Sequence, residues 1–412
     1  MAESDSIKPS QRSQRALDWF VFFVADVQTG FGPFVSVYLT TQKWTQTDIG
    51  LVMTVAGFIG LLGQLPGGAL VDAARSERVV AAVAVAIVGG SALGYALFPI
   101  FPIVLAAAAL HAAASCVLGP AIAAISLGLV GHGAIGERFG RNARFASIGS
   151  GLSAAAMGAC GYFFSAQSVF FVTAALLVPA LLVLRRLRSE EIDPERAHGA
   201  PPMGESATKP PVDLRSLLRK RSLLIFAGCI MLFHLANAAM LPLMGSVLTM
   251  RSSQWATVLI GACIVGPQLV VAAFSPWVGR KAAQWGRRPL LLAGFAALPV
   301  RGLLFATVTD PNLLIVVQLL DGLTATVFSV MVPLTIADLT RDTGRFNLAQ
   351  GMVGTMTGLG ASLSPTFAGL VSDTFGSAYA FFGLAAVAAV GLVAVWLLMP
   401  ETRPAGSSEP QT

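Results

Sequence analysis

Apolar residues in this chain come in runs rather than stripes. The run IGLVMTVAGFIGLLGQLP (49–66) meets a short charged break, GGALVDAARSER (67–78), and a second apolar run, VVAAVAVAIVGG (79–90), follows. Neither period 2 nor period 3.6 organises these stretches. Runs of about 18 or more apolar residues predict helices that cross a bilayer, and the dyad alternation of a transmembrane β-barrel is not visible. Hydropathy places twelve spans near 16–39, 48–71, 79–99, 103–128, 145–165, 168–185, 223–246, 255–278, 289–309, 312–338, 347–372 and 378–399. The expected fold is an all-α integral membrane protein of twelve transmembrane helices in two six-helix bundles, residues 16–185 and 223–399. An N-terminal tail (1–15), a linker (186–222) and a C-terminal tail (400–412) complete it. The linker reads as flexible, with a short amphipathic piece at 212–220 lying on the membrane surface, and the C-terminal tail reads as disordered.

Composition agrees with the runs: 55% of the 412 residues are hydrophobic and only 12% charged, where soluble domains carry about 25%. Charge adds direction. With both termini placed in the cytoplasm, every one of the 27 Lys and Arg residues falls on the cytoplasmic side except Lys43, Arg251 and the intraspan Arg301. That asymmetry fixes the expected orientation in a cytoplasmic (inner) membrane. It also accounts for the net charge of +6 without a nucleic-acid partner. The polar N-terminus lacks the apolar core of a signal peptide, so the first span is expected to stay uncleaved. Cys116, Cys160, Cys229 and Cys263 lie inside apolar runs without CxxC spacing. They read as packing residues, and no metal or cofactor is expected.

The charged break recurs. GRKAAQWGRR (279–288) holds in the second half the place that 68–78 holds in the first, and GRN (140–142) is echoed by GRFN (344–347). Internal similarity of this kind marks duplicated transporters, so the two bundles should be pseudo-symmetric. The first break offers Gly68, Asp72, Arg75 and Arg78; the second offers Gly279, Gly286, Arg287 and Arg288, with Ala283 where an acid would stand. On these residues the chain resembles the major facilitator superfamily, whose signature is Gly-x-x-x-Asp-x-x-Gly/Arg-Arg-Lys/Arg, over roughly residues 16–400. The resemblance implies a cytoplasmic gate. Gly68 would let two backbones approach, and Asp72 would meet the N-terminus of the eleventh span near Asn347, where an anion gains about 0.3–1 kcal/mol. Arg345 and the other charged groups of both breaks would lie nearby.

Ionisable groups deep in spans point to function. Asp26 lies near the middle of span 1, where a carboxyl could carry a coupling proton or be a fixed hydrogen-bonded residue. Gln28 follows it, and Asn237 is its counterpart in span 7. Arg301 in span 9 and Asp321 in span 10 lie at matching depths. They form either a structural ion pair or a site in which Arg301 holds an anionic group while Asp321 carries a proton. Gln64, His111, His234, Gln268 and Gln318 complete the candidate cavity lining. Span 10 resembles the superfamily pattern Arg-x-x-Gln-Gly as Gln318-Leu-Leu-Asp321-Gly322. The Arg is replaced, and span 4 also lacks the Arg usual in the family's drug antiporters.

No P-loop, HExxH or GxSxG is present, so neither ATP-driven pumping nor enzymatic catalysis is expected. The expected activity is proton-coupled secondary transport of a small organic solute by alternating access. The protein is expected to act as a monomer and to lean towards efflux by antiport. The alternatives are proton-coupled import of an organic anion or siderophore-like solute and, from another class, a non-transporting membrane sensor.

Overall fold

The computed structural model describes residues 9–29, 35, 38, 39, 41–44, 46–165, 167–198, 219–244, 256–341 and 343–403. Among the described residues the regular structure is helical throughout. The order is α1 (Gln11–Thr29), α2 (Gln46–Leu62), α3 (Gln64–Ala73), α4 (Glu77–Leu97), α5 (Phe101–Phe163) and α6 (Ser168–Arg186). A 3-10 turn (Ser189–Glu191) and the short α7 (Pro194–Ala197) follow. The chain continues with α8 (Arg221–Asn237), α9 (Ala256–Trp285), α10 (Arg287–Thr307), α11 (Pro311–Leu339), α12 (Phe346–Phe375) and α13 (Ser377–Leu398).

Seven of these stretches are long and apolar enough to cross a membrane, eight if the pair α2–α3, bent by 49° at Gly63, counts as one. One of the seven runs from Phe101 to Gly161. At 1.5 Å per residue it would measure about 90 Å, three times a hydrocarbon core of about 30 Å, so it holds more than one crossing. Its break is Gly131, at φ 65° and ψ 178°, a conformation that suits glycine. By contrast α1, whose nineteen residues include Arg12, Arg15, Asp18 and Asp26, is not among the seven. Large apolar side chains such as Phe58, Phe163, Leu269, Leu370 and Trp396 stand exposed. In water they would be an association surface; against lipid tails they need no cover.

The chain divides into two compact units, Met1–Val212 with Thr340–Gly351, and Asp213–Leu339 with Met352–Thr412. In the first, α1, α4, α5 and α6 enclose Leu17, Phe20, Val85, Leu118, Ile125 and Leu184. Tyr38, Tyr95 and Phe170 form a second cluster, with ring centroids 4.9 and 5.4 Å apart. In the second unit Phe233 stacks on Phe328 at 3.9 Å and meets Phe295 edge-on.

Three sequence expectations change. Residues 129–144, expected as a loop between spans 4 and 5, are helical apart from Gly131. The start of the second charged break, GRKAAQW, is the last part of α9, and the chain turns only at Gly286. In both places polarity marks where the chain leaves the apolar layer, not where the helix ends. The linker is not wholly flexible either, because its start is packed on α5 with Ile192 and Ala197 buried. Residues 212–218 of the amphipathic piece expected at 212–220, and the tail from 404, lie outside the described residues.

Candidate functional site

In the first unit the start of α12 sits against the end of α3. Asp72 Oδ1 accepts the backbone N–H of Asn347 at 3.1 Å and its side-chain amide at 2.8 Å, while Oδ2 accepts the N–H of Leu348 at 2.8 Å. These are first-turn donors without an intrahelical partner, so the carboxylate acts as an anion at a helix N-terminus. The approach requires glycine twice. A Cβ on Gly68 would overlap the Asn347 carbonyl, and one on Gly351 would come within 2.9 Å of Leu65 Cα. The ordered linker joins this contact: Ala197 O accepts Asn347 Nδ2 at 3.3 Å, and His198 O accepts the N–H of Phe346 at 3.2 Å. His198 Nε2 in turn lies 3.1 Å from Glu77 Oε1. That carboxylate holds the imidazole above its ordinary value, against the burial that lowers it, with the more distant Asp72 helping. Of the expected gate arginines, Arg78 turns aside to Leu187 O at 2.6 Å, Arg75 is exposed, and Arg345 is half-buried near the start of α12.

The second copy closes on its own unit. Gly286, at φ 89°, precedes α10, and Glu401 accepts the N–H groups of Arg287 at 2.8 Å and Arg288 at 3.1 Å. A Cβ at 286 would also collide with that carboxylate. Burial alone would push the Glu401 carboxyl up; the backbone N–H groups of Arg287, Arg403 and Arg288 outweigh it, so the net direction is down. Arg287 is buried and bonds Asp338 through Nε at 2.7 Å and the Ala282 carbonyl through Nη1 at 2.9 Å. Arg288 donates to Trp396 O, and Gly279 is buried within α9. The acid missing at Ala283 is thus supplied by Asp338 and Glu401, on α11 and in the C-terminal tail.

Deeper in the second unit, four expected residues meet. Arg301, 1% exposed, bonds Asp321 Oδ1 through Nη1 and Asn237 Oδ1 through Nη2, and its Nη2 lies 3.3 Å from Met240 Sδ. Gln318 Nε2 donates to Asp321 Oδ2 at 3.3 Å. The pair is asymmetric: the Arg301 side chain is 1% exposed and that of Asp321 26%. Among the described residues, Arg301 Nε and Gln318 Oε1 are buried without a hydrogen-bond partner. Buried polar atoms of this kind are expensive unless something else satisfies them. Such a cluster can hold an oxyanion, or exchange a proton for one.

The remaining candidates are dispersed. His234 lies one turn before Asn237 on α8, against Phe233. Gln64, in the first unit, reaches Cys116 Sγ at 3.6 Å, and His111 is half-buried on α5. Gln268 is half-buried on α9. Asp26 and Gln28 lie on α1, but their side chains fall outside the described residues. Sequence reasoning missed a buried cluster in which Asp18 takes Nη2 of both Arg138 and Arg141. Asn142 joins it, accepting from Arg138 Nε at 2.9 Å and donating to Ser126 Oγ at 2.8 Å. An acid inside the first apolar run was the available signal. Its partners, at i, i+3 and i+4, share a face only once 129–144 is known to be helical.

The sequence model described as "Major Facilitator Superfamily" matches residues 19–266 and 227–412. The chain is 38% identical over 392 residues to an uncharacterized MFS-type transporter of Mycobacterium tuberculosis, MT2531 in strain CDC 1551 / Oshkosh. The same figures hold for Rv2456c in strain ATCC 25618 / H37Rv, and in both cases 95% of this chain and 94% of the relative are covered. Among solved structures, the proton:xylose symporter XylE bound to 6-bromo-6-deoxy-D-glucose aligns with TM-score 0.72 at 14% identity, covering 95% of this chain and 96% of XylE. The human organic anion transporter MFSD10 (TETRAN) aligns with TM-score 0.65 at 15% identity, covering 93% and 99%.

Proposed function

The chain belongs to the major facilitator superfamily of membrane transporters, and we propose that it carries a small organic anion together with a proton by alternating access. The observation behind this reading is the Arg301–Asp321–Asn237–Gln318 cluster with its unused buried donor. A guanidinium removed from water needs an anion beside it. Asp321 fills that role in this structure. A proton on Asp321 cancels the partner charge and leaves Arg301 to be neutralised by a carboxylate or phosphate of the substrate. Proton and anion are then bound together, which is the logic of symport. A cationic substrate would instead compete with the proton for Asp321, but it would do so beside Arg301, which repels it. The lean towards efflux rests on Asp26 and the apolar cavity that the spans imply; the cluster favours the organic-anion alternative. The substrate names of XylE and MFSD10 carry no weight here at 14–15% identity.

Alternating access needs a contact that forms on one side only. We assign that role to Asp72 at the start of α12, on the cytoplasmic side of a cytoplasmic membrane with both termini inside. The experiment uses the full chain in liposomes with a pH gradient and a panel of radiolabelled mono- and dicarboxylates. Wild type should accumulate at least one of them as the gradient is imposed. Asp321→Asn should retain exchange of substrate for substrate but lose gradient-driven accumulation, and Arg301→Gln should lose both. Accumulation of organic cations driven by an outward proton gradient, abolished in Asp321→Asn, would replace symport with antiport.

A further inference from the structure

A separate feature of the first unit lies away from the gate, between the start of α1 and the end of α6. A cleft of about 650 Å³ there is lined by Gln11, Arg12, Arg15, Trp19, Val183 and Arg186. Several other arginines of this unit have partners: Arg138 and Arg141 bond Asp18, Arg188 pairs with Glu191, Arg196 with Asp193, and Arg78 bonds a carbonyl, while Arg75, Arg144 and Arg185 are exposed and do not line the cleft. Among the described residues, Arg12, Arg15 and Arg186 make no ion pair, and all three are exposed. The first turn of α1 carries no acid of its own; the nearby Glu191 carboxylate accepts the N–H and hydroxyl of Ser10, both at 2.9 Å, and pairs with Arg188 rather than with the three cleft arginines. Three like charges converging from two helices repel one another unless an anion joins them.

The surroundings say which anion. Trp19 is 48% exposed, one turn beyond Arg15, where α1 passes from the polar QRSQR into its apolar stretch. Leu182, at 55% exposure, does the same on α6 next to Val183. A tryptophan at such a transition is the usual mark of the membrane–water boundary. The guanidinium fork matches phosphate oxygens in pairs, and basic pockets between membrane helices suit anionic headgroups. We propose that this cleft binds the phosphate-bearing headgroup of an anionic phospholipid from the adjoining leaflet, with acyl chains running down past Trp19 and Leu182. A soluble phosphate would use the arginines and leave the exposed ring and the leucine without a role.

The test is native mass spectrometry of the full-length protein, released from micelles holding equal phosphatidylglycerol and phosphatidylcholine of matched acyl chains. Wild type should retain phosphatidylglycerol selectively. The variant Arg12→Gln/Arg15→Gln/Arg186→Gln should retain it at least tenfold less, with phosphatidylcholine unchanged. The control Arg144→Gln/Arg219→Gln/Arg280→Gln removes equal charge from exposed positions elsewhere and should behave as wild type. Equal retention by wild type and the first variant overturns the proposal. Displacement of the lipid by millimolar inorganic phosphate would make this a soluble-anion site and overturn the assignment to lipid. Should the triple variant fail to fold, wild type alone decides: a diazirine-bearing phosphatidylglycerol should crosslink within residues 9–19 and 182–188. Labelling that spares both segments overturns the proposal equally.

Discussion

The two charged breaks share a sequence pattern and use it in opposite ways. In the first unit Asp72 reaches outward to the first turn of α12, a helix whose residues up to Gly351 belong to that unit and whose residues from Met352 belong to the other. In the second, Arg287 and Arg288 turn inward, and Asp338, Glu401 and the Trp396 carbonyl hold them within the same unit. One copy is a contact between a carboxylate and the open end of a helix. The other is a closed knot of charge around the buried Arg287. The same pattern therefore accompanies a joint, the Asp72 contact, in one unit and a brace, the Arg287 network, in the other, and the placement of the acid decides which.

If that distinction is right, the largest effect should come from breaking the brace. Asp338→Ala leaves Arg287, 6% exposed, with no carboxylate on its Nε. Stranding a buried charge costs about 3–5 kcal/mol. The thermal midpoint of the purified protein in detergent should fall by several degrees, and expression should fall with it. Asp338→Ala combined with Arg287→Met should recover most of the loss, because removing both charges is far cheaper than removing one. An unchanged midpoint in the single variant would show that Arg287 finds water, and the brace would then be a surface pair.

A smaller effect is expected at the joint. Asp72→Asn keeps the shape and loses the charge, so the amide can accept through one oxygen only. About 1–2 kcal/mol of charge-assisted hydrogen bonding goes with it. The thermal midpoint should barely move, while transport turnover should drop about tenfold, since the contact biases a two-state equilibrium rather than the folded state. Wild-type turnover in that variant would remove Asp72 from the gate and leave both breaks as topology signals.

Much of this was readable beforehand, and the gaps have a common cause. Depth counted along apolar runs brought Arg301 level with Asp321, because helices rise uniformly. The resemblance to the superfamily implied that Asp72 would meet the start of the eleventh span near Asn347. The bracing acids were not readable: Asp338 and Glu401 lie 51 and 114 residues from Arg287, and no local pattern records such pairings. The helix through 129–144 was hidden because GERFGRNAR is polar, yet its Glu, Arg and Ala are good helix formers and only Gly131 breaks the path. The ordered turn at 189–198 was hidden within a stretch rich in Pro and charge. Asp193 there caps a single helical turn by accepting the N–H groups of Glu195 and Arg196.

That turn supplies the smallest and most discriminating effect. His198 lies against Glu77 on α4, with Asp72 on α3 beyond it, and its carbonyl receives the N–H of Phe346 at the start of α12. The imidazole is held above 6.5, its value when undocked, chiefly by the Glu77 carboxylate. A raised value means the charged form favours docking. The stabilisation is therefore complete below about pH 6.5 and fades as pH rises through the higher docked value. With one partly covered ion pair involved, its size should be under about 1 kcal/mol. Hydrogen exchange over residues 189–198 should accelerate a fewfold between pH 6 and 8 after correction for the intrinsic rate, and in His198→Gln the corrected rate should be flat. The braced break offers an internal control. Glu401 is shifted downward, so its contribution is already complete above its undocked value near 4.5 and is lost only in more acid solution. Exchange at residues 287–290 should thus stay constant over the range in which the joint loosens. If both segments respond alike between pH 6 and 8, the difference between joint and brace is one of position only, and His198 contributes nothing specific to holding α12.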